Sequence, residues 1–129
     1  MTELAGSASC LDVAPVTTAA YKACSDSGDC KRAATENRWP GITAQDREAY
    51  DPLCRERDPK AHAQDPINCI DREMAALYCK SRGSRLPTEA ESALTPNAPA
   101  GTFSEWGLRP QDTPTNRSYA VGFRCARSL

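Results

Sequence analysis

The stretch Arg85-Leu86-Pro87-Thr88-Glu89-Ala90-Glu91 decides the fold of this chain. Its proline suits the first position of a short helical turn, where a missing N–H costs nothing. Arg85, Glu89 and Glu91 are candidates for a buried ion network, because a guanidinium can hold a carboxylate through two parallel hydrogen bonds. We therefore interpret the stretch as structural rather than as a source of acid and base groups for catalysis.

A helix is predicted immediately before this stretch. Asp71 is its N-cap, and Gly83 lies just beyond its last turn. Its apolar stripe consists of Met74, Ala75, Tyr78 and Cys79, and its charged end positions are Glu73, Lys80 and Arg82. An earlier helix, capped by Thr17 or Thr18, is predicted to run through Cys24.

The remaining regular structure is predicted to be short strands. Residue types and alternation place them at residues 10–13, 101–106 and 118–126. Residues 31–66 contain one Trp-Pro-Gly and three Asp-Pro sequences, and this density of turn formers predicts an ordered loop without regular structure. The sequence therefore predicts an α+β domain with two main helices, short strands and much loop.

The composition limits the size of the core and the kinds of partner. With 129 residues the chain is predicted to form one domain over residues 1–129, with residues 1–9 as a flexible or engineered start. The net charge is −1 with acids and bases interspersed, so we expect neither nucleic acid nor an anionic membrane as a partner. No stretch reaches the roughly 18 apolar residues that a membrane-spanning helix needs.

Seven cysteines are spread along the chain without a Cys-x-x-Cys pair. In a small, aromatic-poor domain this pattern indicates disulfide bonds and an oxidising compartment, and it disfavours a zinc site. The turn formers between Cys24 and Cys30 favour a bond there, and we also favour Cys54 with Cys69, although spacing alone does not fix the connectivity. We expect an extracytoplasmic location, periplasmic or secreted, with the export signal absent from this chain.

Further segments resemble, in order, the motifs of one enzyme superfamily. They are Val13–Tyr21, Asp65–Asp71, Ala76–Cys79, Gly101–Trp106 and Gly122–Ala126. Together with the Arg-Leu-Pro-Thr-Glu-Ala-Glu stretch, they are similar to motifs of the formylglycine-generating enzyme (sulfatase-modifying factor) superfamily. The resemblance is most specific at residues 78–91 and runs from about residue 10 to the end of the chain.

The resemblance implies a C-type-lectin-like α+β fold with short antiparallel strands, stapled by disulfide bonds. It places the Tyr-Cys helix against the C-terminal Gly-Phe-Arg-Cys strand and so implies a bond between Cys79 and Cys125. The residues to which it assigns a structural role are Arg85, Pro87, Thr88, Glu89, Glu91, Phe123 and Arg124. Trp106 is expected in the core.

The catalytic equipment of the superfamily is missing from this shortened member. Its oxidases bind copper through two cysteines that would fall between residues 107 and 119, where this chain has none. Its sulfoxide synthases use histidine-bound iron, whereas the one histidine here, His62, is expected to face solvent. We therefore expect no cofactor. Calcium at Glu105 is a weak candidate, since Thr102 replaces an asparagine that would supply a further oxygen.

These features predict a non-catalytic binding or interaction domain, which could belong to a larger chain or assembly. Its partner would be a protein or a small-molecule ligand. The predicted binding face comprises Trp39, Arg109, Gln111, Asn116 and Arg117. The alternative is a small oxidoreductase or metal-dependent enzyme acting through a reactive Cys30 or Cys54, whose neighbouring basic residues would favour the thiolate. A variable-loop recognition protein is a third possibility.

Overall fold

The computed structural model describes residues 2–3, 9–88, 90–91, 104–105 and 116–128. Within them the chain forms an α+β arrangement of short elements. In chain order these are β1 (Thr2–Glu3), β2 (Ser9–Leu11), α1 (Thr18–Asp26), α2 (Ala44–Tyr50), α3 (Arg72–Ser81), β3 (Ser104–Glu105), β4 (Val121–Gly122) and β5 (Ala126–Ser128). Two single turns of 3-10 helix, Asp51–Leu53 and Arg55–Arg57, follow α2.

Two of the helices lie where the sequence predicts them. Thr17 caps α1 by accepting a hydrogen bond from the Ala20 amide at 3.1 Å. Asp71 caps α3 in the same way, accepting from the Met74 amide at 2.8 Å. Beyond α3, Gly83 has a φ of 69°, a left-handed conformation that glycine adopts without strain. Local capping chemistry therefore fixes both ends of α3.

The prediction of an irregular loop over residues 31–66 is wrong, because α2 lies within it. Thr43 and Asp46 form a reciprocal capping box, in which each side chain accepts a hydrogen bond from the other residue's backbone amide. The helix buries none of its seven residues. It therefore lacks the apolar periodicity by which helices are usually recognised in a sequence.

The strands form two small sheets. The first has the order β1-β2-β5 and is antiparallel throughout, with Cys10 opposite Glu3 on one side and Arg127 on the other. In the second, β3 and β4 run parallel, so the prediction of antiparallel strands is wrong for this pair. A parallel pair needs a long connection, and the chain between Glu105 and Val121 supplies one.

The predicted strand over residues 118–126 is divided into β4 and β5. Between them the backbone bonds to the N-terminal segment instead of continuing a ladder. The Val16 amide donates to the Phe123 carbonyl at 2.9 Å, and the Cys125 amide donates to the Asp12 carboxylate at 2.8 Å. This exchange of partners bends the C-terminal segment around the core.

An aromatic cluster forms the centre of the core. Tyr21 on α1 stacks on Tyr78 on α3 with ring centroids 5.8 Å apart, and Phe123 meets both rings edge-on. The buried Tyr21 hydroxyl donates to the Lys31 carbonyl at 2.7 Å, so burial leaves it with a partner. The disulfide bond between Cys79 and Cys125 lies in the same cluster and joins α3 to the C-terminal segment.

The Arg-Leu-Pro-Thr-Glu-Ala-Glu stretch is held by a bidentate ion pair. The two terminal nitrogens of Arg85 lie 2.6 and 2.9 Å from the two carboxylate oxygens of Glu91. Thr88 and Glu91 cap each other through their side chains, so the helical turn begins after Thr88 and not at Pro87 as predicted. The Arg85 backbone bridges Ala126, which joins the stretch to the first sheet.

The other predicted structural residues are also placed, apart from two. Pro87 is buried, Phe123 is fully buried, and Arg124 is 4% exposed, with its guanidinium 3.5 Å from the Asp12 carbonyl. Glu89 and Trp106 lie outside the described residues. In the described part of the stretch, Arg85 and Glu91 form the ion pair, and Thr88 caps the short turn.

Replacing both Cys79 and Cys125 with alanine should lower the free energy of unfolding by about 4 kcal/mol, because the bond closes a long loop in the unfolded chain. Urea unfolding followed by circular dichroism measures the change. Cys10→Ser, which removes the unpaired cysteine, is the control and should leave the midpoint nearly unchanged. An unaltered midpoint in the double variant would contradict the importance of this bond.

Glu91→Gln should lower the free energy of unfolding by about 1–3 kcal/mol at neutral pH. Hydrogen bonds from Arg85, Ser9 and Thr88 hold the pKa of the Glu91 carboxyl well below its usual range. Its stabilisation is therefore present above the unfolded-state pKa of about 4.3 and is lost as the pH falls towards the folded value.

The difference in free energy of unfolding between wild type and Glu91→Gln should accordingly become smaller in acid. Urea unfolding between neutral pH and about pH 3 measures it. Glu48→Gln, at an exposed position on α2, is the control and should show a small difference at every pH. A gap for Glu91→Gln that does not change with pH would contradict the ionic account.

Candidate functional site

Six of the seven cysteines are oxidised in the structure. The bonds are Cys24–Cys30, Cys54–Cys69 and Cys79–Cys125, which are the three pairs predicted. The prediction of a reactive thiol at Cys30 or Cys54 is wrong, because Cys30 is bonded to Cys24 and Cys54 is bonded to Cys69. The unpaired cysteine is Cys10, which lies partly buried in β2.

Three half-buried aromatic side chains lie next to one another at the surface. Tyr50, at the end of α2, stacks on Tyr119 with ring centroids 4.6 Å apart and planes 5° apart. Trp39 contacts Tyr50 at 6.3 Å in a tilted arrangement. We call Trp39, Tyr50 and Tyr119 the aromatic row. Such rings provide large contact area with few torsions to fix.

A buried asparagine positions the aromatic row. Asn37 is 0% exposed and donates to the Asp51 carboxylate through its backbone amide at 2.7 Å and its side-chain amide at 2.9 Å. Its side-chain oxygen accepts from the Tyr119 amide at 2.7 Å. One side chain therefore joins the turn after Tyr50 to the segment that carries Tyr119.

A second buried asparagine, Asn68, joins the same segments through another set of hydrogen bonds. Asn68 is 1% exposed, and its amide donates to the Leu53 carbonyl at 2.9 Å and to the Tyr119 carbonyl at 3.1 Å. Its oxygen accepts from the Arg55 amide at 2.9 Å. The next residue, Cys69, has a φ of 54° and forms the Cys54–Cys69 bond. This left-handed residue is held by a covalent bond on one side and by hydrogen bonds on the other.

The carboxylate of Asp51 stays ionised in this buried network. Burial alone would raise its pKa, but the two hydrogen bonds from Asn37 and the charges of Arg47 and Arg57 outweigh that effect and lower the pKa. The stability that Asp51 contributes is therefore present near neutral pH and is lost as the pH falls through its folded pKa.

Two open cavities flank the aromatic row. A cavity of about 490 Å³ is lined by Leu53, Arg55, His62, Tyr119 and other residues of the same turns. A second one, of about 520 Å³, is lined by Arg32, Glu36, Arg38, Arg47 and Arg117 among others, and we call it the arginine cleft. Each cavity is an open depression at the surface, so a ligand could enter without rearrangement of the core.

The predicted binding face is partly brought together. An isolated antiparallel bridge pairs Arg38 with Arg117 through two backbone hydrogen bonds of 2.8 Å, which brings Trp39 and Asn116 to neighbouring positions. Arg109 and Gln111 lie outside the described residues. The sequence analysis missed Tyr50 and Tyr119, and only the recognition of α2 would have indicated that a tyrosine ends a helix beside Trp39.

His62 is the one histidine, and together with Tyr119 it lines the cavity of about 490 Å³. Its Nδ1 is 2.9 Å from an Asp65 carboxylate oxygen, and the two side chains are 43% and 50% exposed. Among the described residues, no group of three or more histidine, cysteine or acidic side chains is placed to hold a metal ion. Glu105, the calcium candidate, is described in β3 only as backbone.

Asn37→Ala should lower the free energy of unfolding by about 3 kcal/mol, because it leaves the buried Asp51 carboxylate and the Tyr119 amide each without one partner. Hydrogen exchange at the Tyr119 amide should also become faster. Asn116→Ala, at a half-buried position, is the control for both measurements. If the two variants lost equal free energy of unfolding, Asn37 would not be the residue that fixes the aromatic row.

Comparison with known proteins agrees with the motifs. A family model described as the sulfatase-modifying factor enzyme 1-like domain matches residues 7–105. The match includes both helices predicted from the sequence and the Arg85–Glu91 pair, and it ends before the Gly-Phe-Arg-Cys segment. Searches of the curated proteins and of the solved structures gave no match. Because the family model covers most of the chain, the chain belongs to the formylglycine-generating enzyme superfamily.

Proposed function

We propose that this chain is a non-catalytic binding domain whose ligand surface is the aromatic row with its two flanking cavities. The observation that carries the proposal is the Tyr50–Tyr119 stack, because it leaves two half-buried rings on the surface in a fixed orientation. Tyrosine, tryptophan and arginine are the residues most often responsible for binding energy at interfaces. All three types meet on this surface.

The rigidity of the row favours binding. Asn37 and Asn68 fix the backbone on both sides of Tyr119, and the Cys54–Cys69 bond fixes the turns beneath it. A ligand therefore does not have to order these residues when it binds, and less of the interaction energy is lost to conformational entropy. This is a recurrent use of loops that are held by a rigid scaffold.

The oxidised cysteines weigh against the oxidoreductase alternative. A copper site of the kind the superfamily uses needs converging thiolates. Here six sulfurs are consumed in buried bonds, and Cys10 on β2 has no second free thiol to act with. We therefore expect no bound cofactor, and calcium at Glu105 stays a minor alternative to be checked by metal analysis of the purified protein.

The three disulfide bonds and the family are compatible with an extracytoplasmic location. We propose that the domain works there, periplasmic or secreted, because such bonds persist in oxidising compartments. In the described part of the chain, no helix has the length and apolar character needed to cross a bilayer. Its partner would then be a protein or a small molecule in the same compartment.

A displayed peptide library, selected against the whole chain, tests the binding surface. Trp39→Ala and Tyr50→Ala should each weaken binding of the selected peptides at least about thirtyfold, which corresponds to the loss of about 2 kcal/mol or more that is typical of an interface hot spot. Val13→Ala is the control, since Val13 is an exposed apolar side chain, 73% accessible, outside the row. Isothermal titration calorimetry gives the affinities, and circular dichroism verifies that the variants fold.

Two results would overturn the proposal. The first is a set of peptides whose affinity is unchanged by both aromatic substitutions. The second is the outcome that the oxidoreductase predicts, namely three or more free thiols per chain by titration and intact mass, or copper-dependent oxygen consumption with a cysteine peptide. One free thiol per chain, with peptide binding that depends on the row, supports the binding domain.

A further inference from the structure

We propose that the arginine cleft recognises carboxylates of an acidic peptide segment of the partner. The inference rests on the proposed function and specifies the chemistry of its ligand. The cleft is lined by four arginines, Arg32, Arg38, Arg47 and Arg117, and by one acidic residue, Glu36. A chain whose net charge is −1 therefore concentrates positive charge in one depression.

The four arginines differ in how firmly the protein itself binds them. Arg32 lies 2.7 Å from Asp26, and Arg117 lies 3.3 Å from the largely buried carboxylate of Asp71. Arg117 is thereby held within the fold. The Arg32–Asp26 pair is short but open to solvent, with side chains 49% and 46% exposed. Glu56 lies 3.5 Å from Arg32, a longer and therefore weaker contact than that of Asp26.

Arg38 and Arg47 have the weaker internal partners, and we assign these two guanidiniums to the ligand. Arg38 is exposed, and no ion pair to it is found among the described residues. Arg47 pairs at 3.1 Å with Glu36, whose side chain is 65% exposed, and only at 3.8 Å with Asp51. An ion pair that is open to solvent contributes little to stability, so a ligand could displace Glu36 at small cost.

Glu36 consequently occupies the place that a ligand carboxylate would take. It is a carboxylate on a flexible, exposed side chain, and it contacts the guanidinium that faces the cleft. Arginine holds carboxylates through paired hydrogen bonds, which gives both charge and geometric selection. The ligand would exchange with Glu36 without disturbing the buried Asp51 network beneath it.

The neighbouring aromatic row favours a peptide over a small anion. Trp39 follows Arg38 in the chain, and both are fixed by the backbone bridge between Arg38 and Arg117. A peptide can place an acidic side chain in the cleft and an apolar one on Trp39 and Tyr50 at the same time. Inorganic phosphate or sulfate would engage the cleft alone and gain nothing from the row.

Titration of the whole chain with the peptide Glu-Glu-Leu-Glu-Glu tests the inference, with Gln-Gln-Leu-Gln-Gln as the uncharged control. Arg38→Ala and Arg47→Gln should each weaken the acidic peptide about tenfold, which corresponds to one charge-assisted contact. Glu36→Gln should strengthen binding severalfold, because it removes the internal competitor. Arg72→Ala, at an exposed position on α3, is the matched arginine control and should have no effect.

Each other result overturns the inference. A weaker complex in Glu36→Gln would show that Glu36 supports the cleft rather than competing for it. Equal effects of Arg72→Ala and Arg38→Ala would show nonspecific attraction. If inorganic phosphate displaced the acidic peptide as effectively as a second acidic peptide does, the cleft would be a general anion site instead. If the acidic peptide fails while library peptides still bind through Trp39, the inference is wrong and the binding domain stands. If neither binds, the proposed function itself fails.

Discussion

The Cys54–Cys69 disulfide bond, with the buried asparagines on either side of it, is the constraint on which the irregular half of the molecule depends. The helix α2 buries no residue completely, so packing, chiefly the Tyr50–Tyr119 stack, holds it only in part against the domain. Two further contacts hold it. Asn37 donates two hydrogen bonds to the Asp51 carboxylate at the end of the helix, and the Cys54–Cys69 bond follows a few residues later. A bond over this separation constrains the unfolded chain by about 3 kcal/mol, which is comparable to the gain from several hydrogen bonds.

The same constraint explains how a chain with few aromatic residues can present three of them at its surface. A small core leaves little apolar area to offset the entropy of ordering long loops. Here hydrogen bonds of buried asparagine side chains supply part of the stabilisation that a larger apolar core would give. Asn37 and Asn68 each join segments more than 50 residues apart in the chain through hydrogen bonds to the Tyr119 backbone, at separations of 82 and 51 residues, and so fix a ring that packing alone would leave free.

The elements that the sequence reveals are those whose signals are local. Thr17 directly precedes the helix that it caps, and Asp71 lies within about two turns of the apolar stripe of α3. The turn formers between Cys24 and Cys30 likewise favour that bond locally. The Cys79–Cys125 bond is different, because only the resemblance to a family brings those residues together. The aromatic row could not be predicted, since Tyr50 and Tyr119 meet through Asn37, and a polar residue within a loop carries no sign that it will be buried.

The distribution of charge follows from the same architecture. Asp51 and Asp71 lie inside, where hydrogen bonds from the backbone and from Asn37 offset the cost of burying them, while Arg47 and Arg117 reach over them towards solvent. The two carboxylates that accept structural hydrogen bonds are thereby buried, and the two arginines that neutralise them remain partly exposed. A nearly neutral chain acquires a positive cleft in this way without the self-repulsion that a high net charge would bring. Arg47 and Arg117 therefore lie in the cleft as a consequence of how the loop is held together, and the buried carboxylates that they contact set that part of the geometry of the proposed ligand surface.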